Sequence, residues 1–517
     1  MINKYLHYIS HQIKFLKIFF GIVSFFLFLA FSSTAYCTAI SSTGAGGNWN
    51  AAASWSPAQV PGAGDDVTIA VGSPITINQN INVNSITING TLTGAAFTFT
   101  VATFMTIANG GTFTQNAMTT VTISGATTIN GTLTVGNGVG LQTYTGLVTI
   151  GATGIFICTA SNNPTFTFTN GINCAGTFNK TGTGVVNVAA TTVFTNTGAF
   201  NFTMAGLTAI NQPITISNTS ATNAMTFGSA VTNSSATAVT ISNSGFGITF
   251  SGAFTNNGPI NVTNSGTGNI TYSAAFTNTA TTTYSVTNTG GITFSTTLGN
   301  TSANLTFGGA GTGTIAFTGL LTNTTGVVNI TGSSPLTFTA GITNSGTINQ
   351  SGTGAITLNG VQTILNQTAG SVTFSGAVTN SNTLIVNNTS TGSTTFSGAT
   401  FTNNNPITLN PTGAGSSITI SGAFATANTV TLNGSAAINF GSSYQINGAF
   451  TTTNNNTLGV SISGKLDGTV AGSTWANAGT SILNYACTTG GSNIPFQTAG
   501  TLTNAAGTIF NYSGAGA

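Results

Sequence analysis

Charge is what this sequence lacks. Five Lys or Arg and three Asp or Glu occur in 517 residues, 2% of the chain, where an ordinary soluble domain carries about a quarter. Lys4, Lys14 and Lys17 lie with both histidines, His7 and His11, in the first 17 residues. Beyond them the charged side chains are Asp65, Asp66, Lys180, Lys465 and Asp467, with no Arg, Glu or His. Nucleic-acid binding requires several phosphate-neutralising cations, and two scattered lysines do not supply them. Most hydrolases, lyases and kinases need a positioned acid or base, and candidates are few. No catalytic residue and no cofactor site is expected. Cysteine is scarce too: Cys37, Cys158, Cys174 and Cys487. No Cys-x-x-Cys and no histidine partner accompany them, so zinc is excluded on ligand grounds. Cys158 and Cys174 leave two readings open, a bridge between neighbouring coils or two buried small residues.

The first 37 residues read as an export signal. A basic start precedes an apolar run from Ile18 to Phe31, and small residues at Ser33-Thr34-Ala35 offer a cleavage site. The run is short of the roughly 20 residues that span a bilayer. The mature chain is therefore expected to be secreted or displayed at a cell surface, with membrane contact through the export signal alone.

A repeat organises the mature chain. One phrase recurs as MTFGSAVTN (225–233), ITFSGAFTN (248–256), ITYSAAFTN (270–278), ITFSTTLGN (292–300), IAFTGLLTN (315–323) and LTFTAGITN (336–344). Its aromatic anchor falls at Phe227, Phe250, Tyr272, Phe294, Phe317 and Phe338, at spacings of 23, 22, 22, 23 and 21 residues. The register then slips and resumes at Phe374 and Phe396. A period in the twenties predicts a solenoid. ITFSGAF alternates, as do INVTN (260–264) and ITLNP (407–411), with Asn-Asn-Gly, Asn-Ser-Gly and Gly-Thr-Gly between them. Those are turn residues, while abundant Thr, Val and Ile favour strands. One period thus predicts one coil of two or three strands. The expected fold is all-β, a right-handed parallel β-helix, or β-solenoid, of about 22 residues per coil.

Stacking at about 4.8 Å accounts for the odd composition. The six aromatic anchors are expected to form an internal stack. Asn233, Asn256, Asn278, Asn300, Asn323 and Asn344 are expected to form a second column at a turn, each amide bonding the next. Disorder is disfavoured by periodic Phe, Ile and Val and a mean hydropathy of +0.31. The organisation read from these patterns is a signal at 1–37, a cap and lead-in segment at 38–75, repeats at 76–445 and divergent coils at 446–517. The last stretch departs from the anchor spacing and ends inside what reads as another coil, which suggests truncation or an assembly surface.

The lead-in carries Asn48-Trp49-Asn50, Ser54-Trp55-Ser56 and VPGAGDDVTI (60–69). It resembles the start of exported bacterial surface proteins with parallel β-helix passengers. GITNSGTINQSGTG (341–354) resembles repeats of filamentous-haemagglutinin-like and autotransporter-type adhesins. The resemblance implies a surface solenoid involved in attachment and carries over no catalytic residue. Trp49 and Trp55 read as a cap over the first coil rather than as sugar platforms. Asp65 and Asp66 read as turn residues, since two adjacent carboxylates make a poor calcium site. GVSISGK (459–465) imitates a phosphate-binding loop, but Leu466 replaces the required Ser or Thr and no helix is expected after it. Lys465 and Asp467 are expected to form a solvated turn.

These observations support a structural or adhesive surface protein whose partners are itself, surface glycans, or host and neighbour-cell receptors. Alternatives are a self-assembling fibre or layer and an ice-binding or carbohydrate-binding solenoid. Thr-x-Thr occurs at 91–93, 98–100, 120–122 and 165–169, without one fixed place in every coil.

Overall fold

The computed structural model describes residues 2, 10–20, 38–158, 164–180, 186–188, 193–196, 214–228, 230–487 and 495–513. Most of the expected export signal, including its cleavage site, lies outside them. Residues 10–20 are helical, and no helix among the described residues is long and apolar enough to cross a membrane.

The described chain from Thr38 onward is short strands and turns wound into a parallel β-solenoid, in which 21 successive parallel pairings lead from Ala39–Ser42 to Ile509–Tyr512. At the usual strand spacing, that many steps make a rod on the order of 100 Å long. Among the described residues the strands form sheets of 27, 7, 12 and 13 members. The largest contains a spine that runs unbroken from Ala39–Ser42 to Ile509–Tyr512, each strand parallel to the one a coil earlier.

In the central coils each turn lays down three strands, one per face. The coil beginning at Val239–Asn243 on the spine continues through Ile248–Phe250 and Phe254–Asn256, then returns to the spine at Ile260–Asn264. The phrase ITFSGAFTN is therefore two strands joined by a Ser-Gly-Ala corner. Ile248 and Phe250 point inward and Thr249 outward, which is the period-2 rule of a pleated strand written in three letters. The core is a single column of Ile, Val, Leu, Phe and Tyr down the axis of the coil.

The slip after Phe338 has a structural cause. Phe338 pairs with Leu358 in the next coil on its own face. The phrase at 372–380 instead places Val372–Phe374 on the spine and Val378–Asn380 on the face that Phe338 occupies. Coil length is kept, since Ile342 pairs with Ile364 and Ile364 with Val386. The phrase has moved one face around the rod while the coils continue in register.

The lead-in is itself part of the solenoid. Ala39–Ser42 pairs in parallel with Asp66–Ile69, while Trp55–Ser56 runs antiparallel along its other edge. That antiparallel segment covers the N–H and C=O groups that an open strand edge would present.

Candidate functional site

The aromatic anchors lie over one another. Phe227, Phe250, Tyr272, Phe294, Phe317 and Phe338 are partners in successive coils. Their rings stack within 11° of parallel, with centroids 4.9, 5.1, 5.1, 5.6 and 4.8 Å apart. Phe254 and Phe276 add a second stack on the next face, and Tyr284 and Phe307 a third on the spine. Tyr272 and Tyr284 are fully enclosed, and burial pushes both phenols well above their ordinary range.

The asparagines form a ladder. Nδ2 of Asn233 donates to Oδ1 of Asn256 at 2.7 Å, and Asn256 to Asn278 at 2.8 Å. Asn278, Asn300 and Asn323 each donate to the next rung at 2.9 Å, and Asn344 reaches Asn366 at 3.1 Å. All are buried, each as the last residue of its strand where the corner begins. Each amide is also tied to the local corner: Asn233 Oδ1 accepts from the Ser235 N–H, and Asn323 Nδ2 donates to the Gly326 carbonyl. A buried amide costs free energy unless both of its ends are bonded, and this arrangement bonds both without a charge. Sequence reading stopped at Asn344, although Asn366 and Asn388 continue the column by register. Shorter ladders stand on the other faces, from Asn243 to Asn264 and from Asn380 to Asn403.

Trp49 and Trp55 are buried, with ring centroids 4.8 Å apart in an edge arrangement, and Trp55 Nε1 donates to the Trp49 carbonyl at 2.8 Å. Enclosed indoles cannot stack on a sugar ring. Asp65 Oδ2 accepts the Gly62 N–H, closing a turn, while Asp66 Oδ1 accepts from Asn84 and Ser85 one coil on. Among the described residues no three His, Cys, Asp or Glu side chains gather as metal ligands would. Cys158 and Cys174 are buried thiols on different sheets, and burial raises Cys174 to about 12.

Lys465 and Asp467 depart from the expected solvated turn. Leu466–Gly468 is a strand and Asp467 is buried. Residues 495–499 cross over it: the Thr498 N–H reaches Asp467 Oδ1 at 3.0 Å, and the Gly468 N–H donates to the Ala499 carbonyl. Lys465 Nζ lies 2.5 Å from Asp467 Oδ2 and donates to Thr498 Oγ1 at 3.1 Å. Burial alone would raise the carboxyl; the bonds from Lys465 and Thr498 outweigh it and hold Asp467 down to about 2. The group works as a latch on the overlying segment. A shallow cavity of about 220 Å³ beside it is lined by Ser443, Gln445 and Lys465. A larger groove, about 380 Å³, runs past Leu320, Val361, Leu365 and Ile385.

The outward positions form columns of their own. In the early coils Pro74–Thr76, Thr91–Thr93, Thr112–Gln115 and Thr132–Val135 stack in register. Thr91, Thr112 and Thr132 make one outward line, and Thr76, Thr93, Thr114 and Thr134 a second. Thr-x-Thr thus recurs at one fixed place over three consecutive coils, bounded by Pro74 on one side and Ile155 and Ile157 on the other. A single fixed spacing does not find Thr112-x-Thr114 and Thr132-x-Thr134, because the rungs from Thr91 to Thr112 and from Thr112 to Thr132 are 21 and then 20 residues apart. On the neighbouring face Thr98 and Thr100 pair with Thr120 and Thr122.

No family model matches this chain, and neither a curated protein nor a solved structure matches it.

Proposed function

We propose that the chain is a secreted or surface-displayed structural rod, of the bacterial adhesin kind, that mediates attachment or matrix assembly without catalysis. The observation that carries this reading is a long solenoid whose outer surface is almost free of charge. From 181 to 464 no Asp, Glu, Lys, Arg or His occurs, and the outward rungs repeat Thr, Ser and Asn. Such a surface offers hydrogen bonds everywhere and electrostatic repulsion nowhere, which suits adhesion to glycans or cell-surface receptors and association with further copies. The style of the phrase repeats, similar to haemagglutinin-type passengers, supports the same reading. Export through residues 1–37 completes it. Right-handed winding belongs to the proposal as well, because parallel crossovers take that hand in the great majority of sheets.

The test is negative-stain microscopy of the chain from Thr38, joined to binding on glycan arrays and on intact cells. Separate rods of about 100 Å that bind a glycan or cell surface support attachment. Fibres or sheets that grow with concentration place assembly first. Monodisperse rods that bind nothing overturn the reading.

A further inference from the structure

We infer that the early coils carry an ice-binding face, formed by Thr76, Thr91, Thr93, Thr112, Thr114 and Thr132 with Thr134. This inference goes beyond the adhesive reading and does not depend on it. Its basis is the phase of the strands. In the central coils the phrase strands read in-out-in, as in Ile248-Thr249-Phe250, so on those two faces each rung shows one outward residue, most often Thr, in a single line, while the spine strands mix Thr with Ser and Asn at two outward places. The early strands read out-in-out. In Thr91-Leu92-Thr93 the leucine is buried and both threonines face outward; Phe113 and Leu133 repeat the arrangement. Two outward positions per rung make a net rather than a line.

The dimensions of that net are those of a parallel sheet. Neighbouring rungs lie about 4.8 Å apart and alternate residues about 6.6 Å apart along the strand. The first falls close to the shorter repeat of the oxygen net on a prism face of hexagonal ice, and the second lies somewhat below the longer one. β-Branched Thr has a restricted χ1, and Thr112 Oγ1 donates to Thr91 Oγ1 at 3.2 Å between two neighbouring rungs. Glycines hold the corners beside the net close-packed: a Cβ on Gly131 would lie 2.2 Å from the Gly111 carbonyl oxygen, and one on Gly111 would lie 2.1 Å from that of Ile88. Charge decides among solids. The face carries no ionisable group, which leaves nothing to attract a polyanion or an ionic mineral. A neutral lattice of water, matched by alternating hydroxyls and methyls, fits it.

The experiment measures thermal hysteresis and crystal shape in a nanolitre osmometer, using the chain from Thr38. The intact protein is expected to facet ice and open a hysteresis gap. Thr114→Lys, at the middle of the net, is expected to return the gap to the buffer baseline. Thr271→Lys, on a single-line face of the central coils, is expected to leave it unchanged. If Thr114→Lys does not fold by circular dichroism, Thr114→Ser removes only a methyl, and a partial loss is expected. Round crystals without a gap from the intact protein overturn the inference, as does equal loss in Thr271→Lys or full retention in Thr114→Ser. Dimerisation that Thr114→Lys abolishes, with no hysteresis, also overturns it and assigns the face to a second copy.

Discussion

The early and central coils close the same kind of corner in two ways. Between 88 and 131 the buried corner residue is Gly90, Gly111 or Gly131, and the neighbouring Asn89 and Asn130 face partly outward. Between 233 and 344 the buried corner residue is the asparagine itself, bonded to the one above and the one below. Glycine lets one backbone rest directly on the next, while asparagine replaces that contact with a hydrogen-bonded side chain. Both remove polar groups from water without charge. They differ in how much depends on a single residue: a glycine corner is held by its backbone, whereas a ladder rung is shared by three coils.

Replacement of Phe294 by Ala tests the ladder region hardest. It empties the middle of a ring stack and is expected to cost about 4 kcal/mol, read as a drop in urea midpoint. Asn300→Ala should follow at about 3 kcal/mol, because it leaves Asn278 Nδ2 without an acceptor and Asn323 Oδ1 without a donor. A cost near zero for Asn300→Ala would erase the distinction between the two corners.

pH separates the regions in another way. The central coils hold no carboxylate, so their stability is expected to be flat from pH 7 down to pH 2. Asp467 is held below its ordinary value of 3.8 when folded. Its contribution is therefore complete above about pH 4 and lost as pH falls through about 2. The loss amounts to on the order of 2 kcal/mol and is confined to the coil under residues 495–499. Hydrogen exchange at pH 5 and pH 2.5 would locate it; uniform loosening of all coils would contradict the latch. The smallest effect is expected for Asn130→Ala, which truncates the same amide as Asn300→Ala at a glycine corner. It should shift stability by no more than about 0.5 kcal/mol, and a larger shift would show that the early asparagines also bear load.

Much of this architecture was legible. The stack from Phe227 to Phe338 and the ladder from Asn233 to Asn344 are visible as letters at a near-constant spacing, because parallel in-register coils superpose equal positions. Strands such as INVTN and ITLNP were legible from alternation alone. The displacement at Phe374 was not, since a repeated phrase declares a strand pair without declaring the faces it lies on. Neither was the threonine net, because its rungs share only Thr-x-Thr within coils of unequal length. The burial of Asp467 was hidden for a different reason: the chain that covers it lies 31 residues away, beyond any local pattern.

The shift of the phrase by one face also bears on inheritance. A solenoid that accepts the same words on different sides imposes no fixed punctuation on its gene. Unequal recombination between two variants of the phrase whose separation closes a whole turn would add or delete coils without disturbing the core. Rod length can then change by whole coils while the sequence of every remaining coil stays as it is.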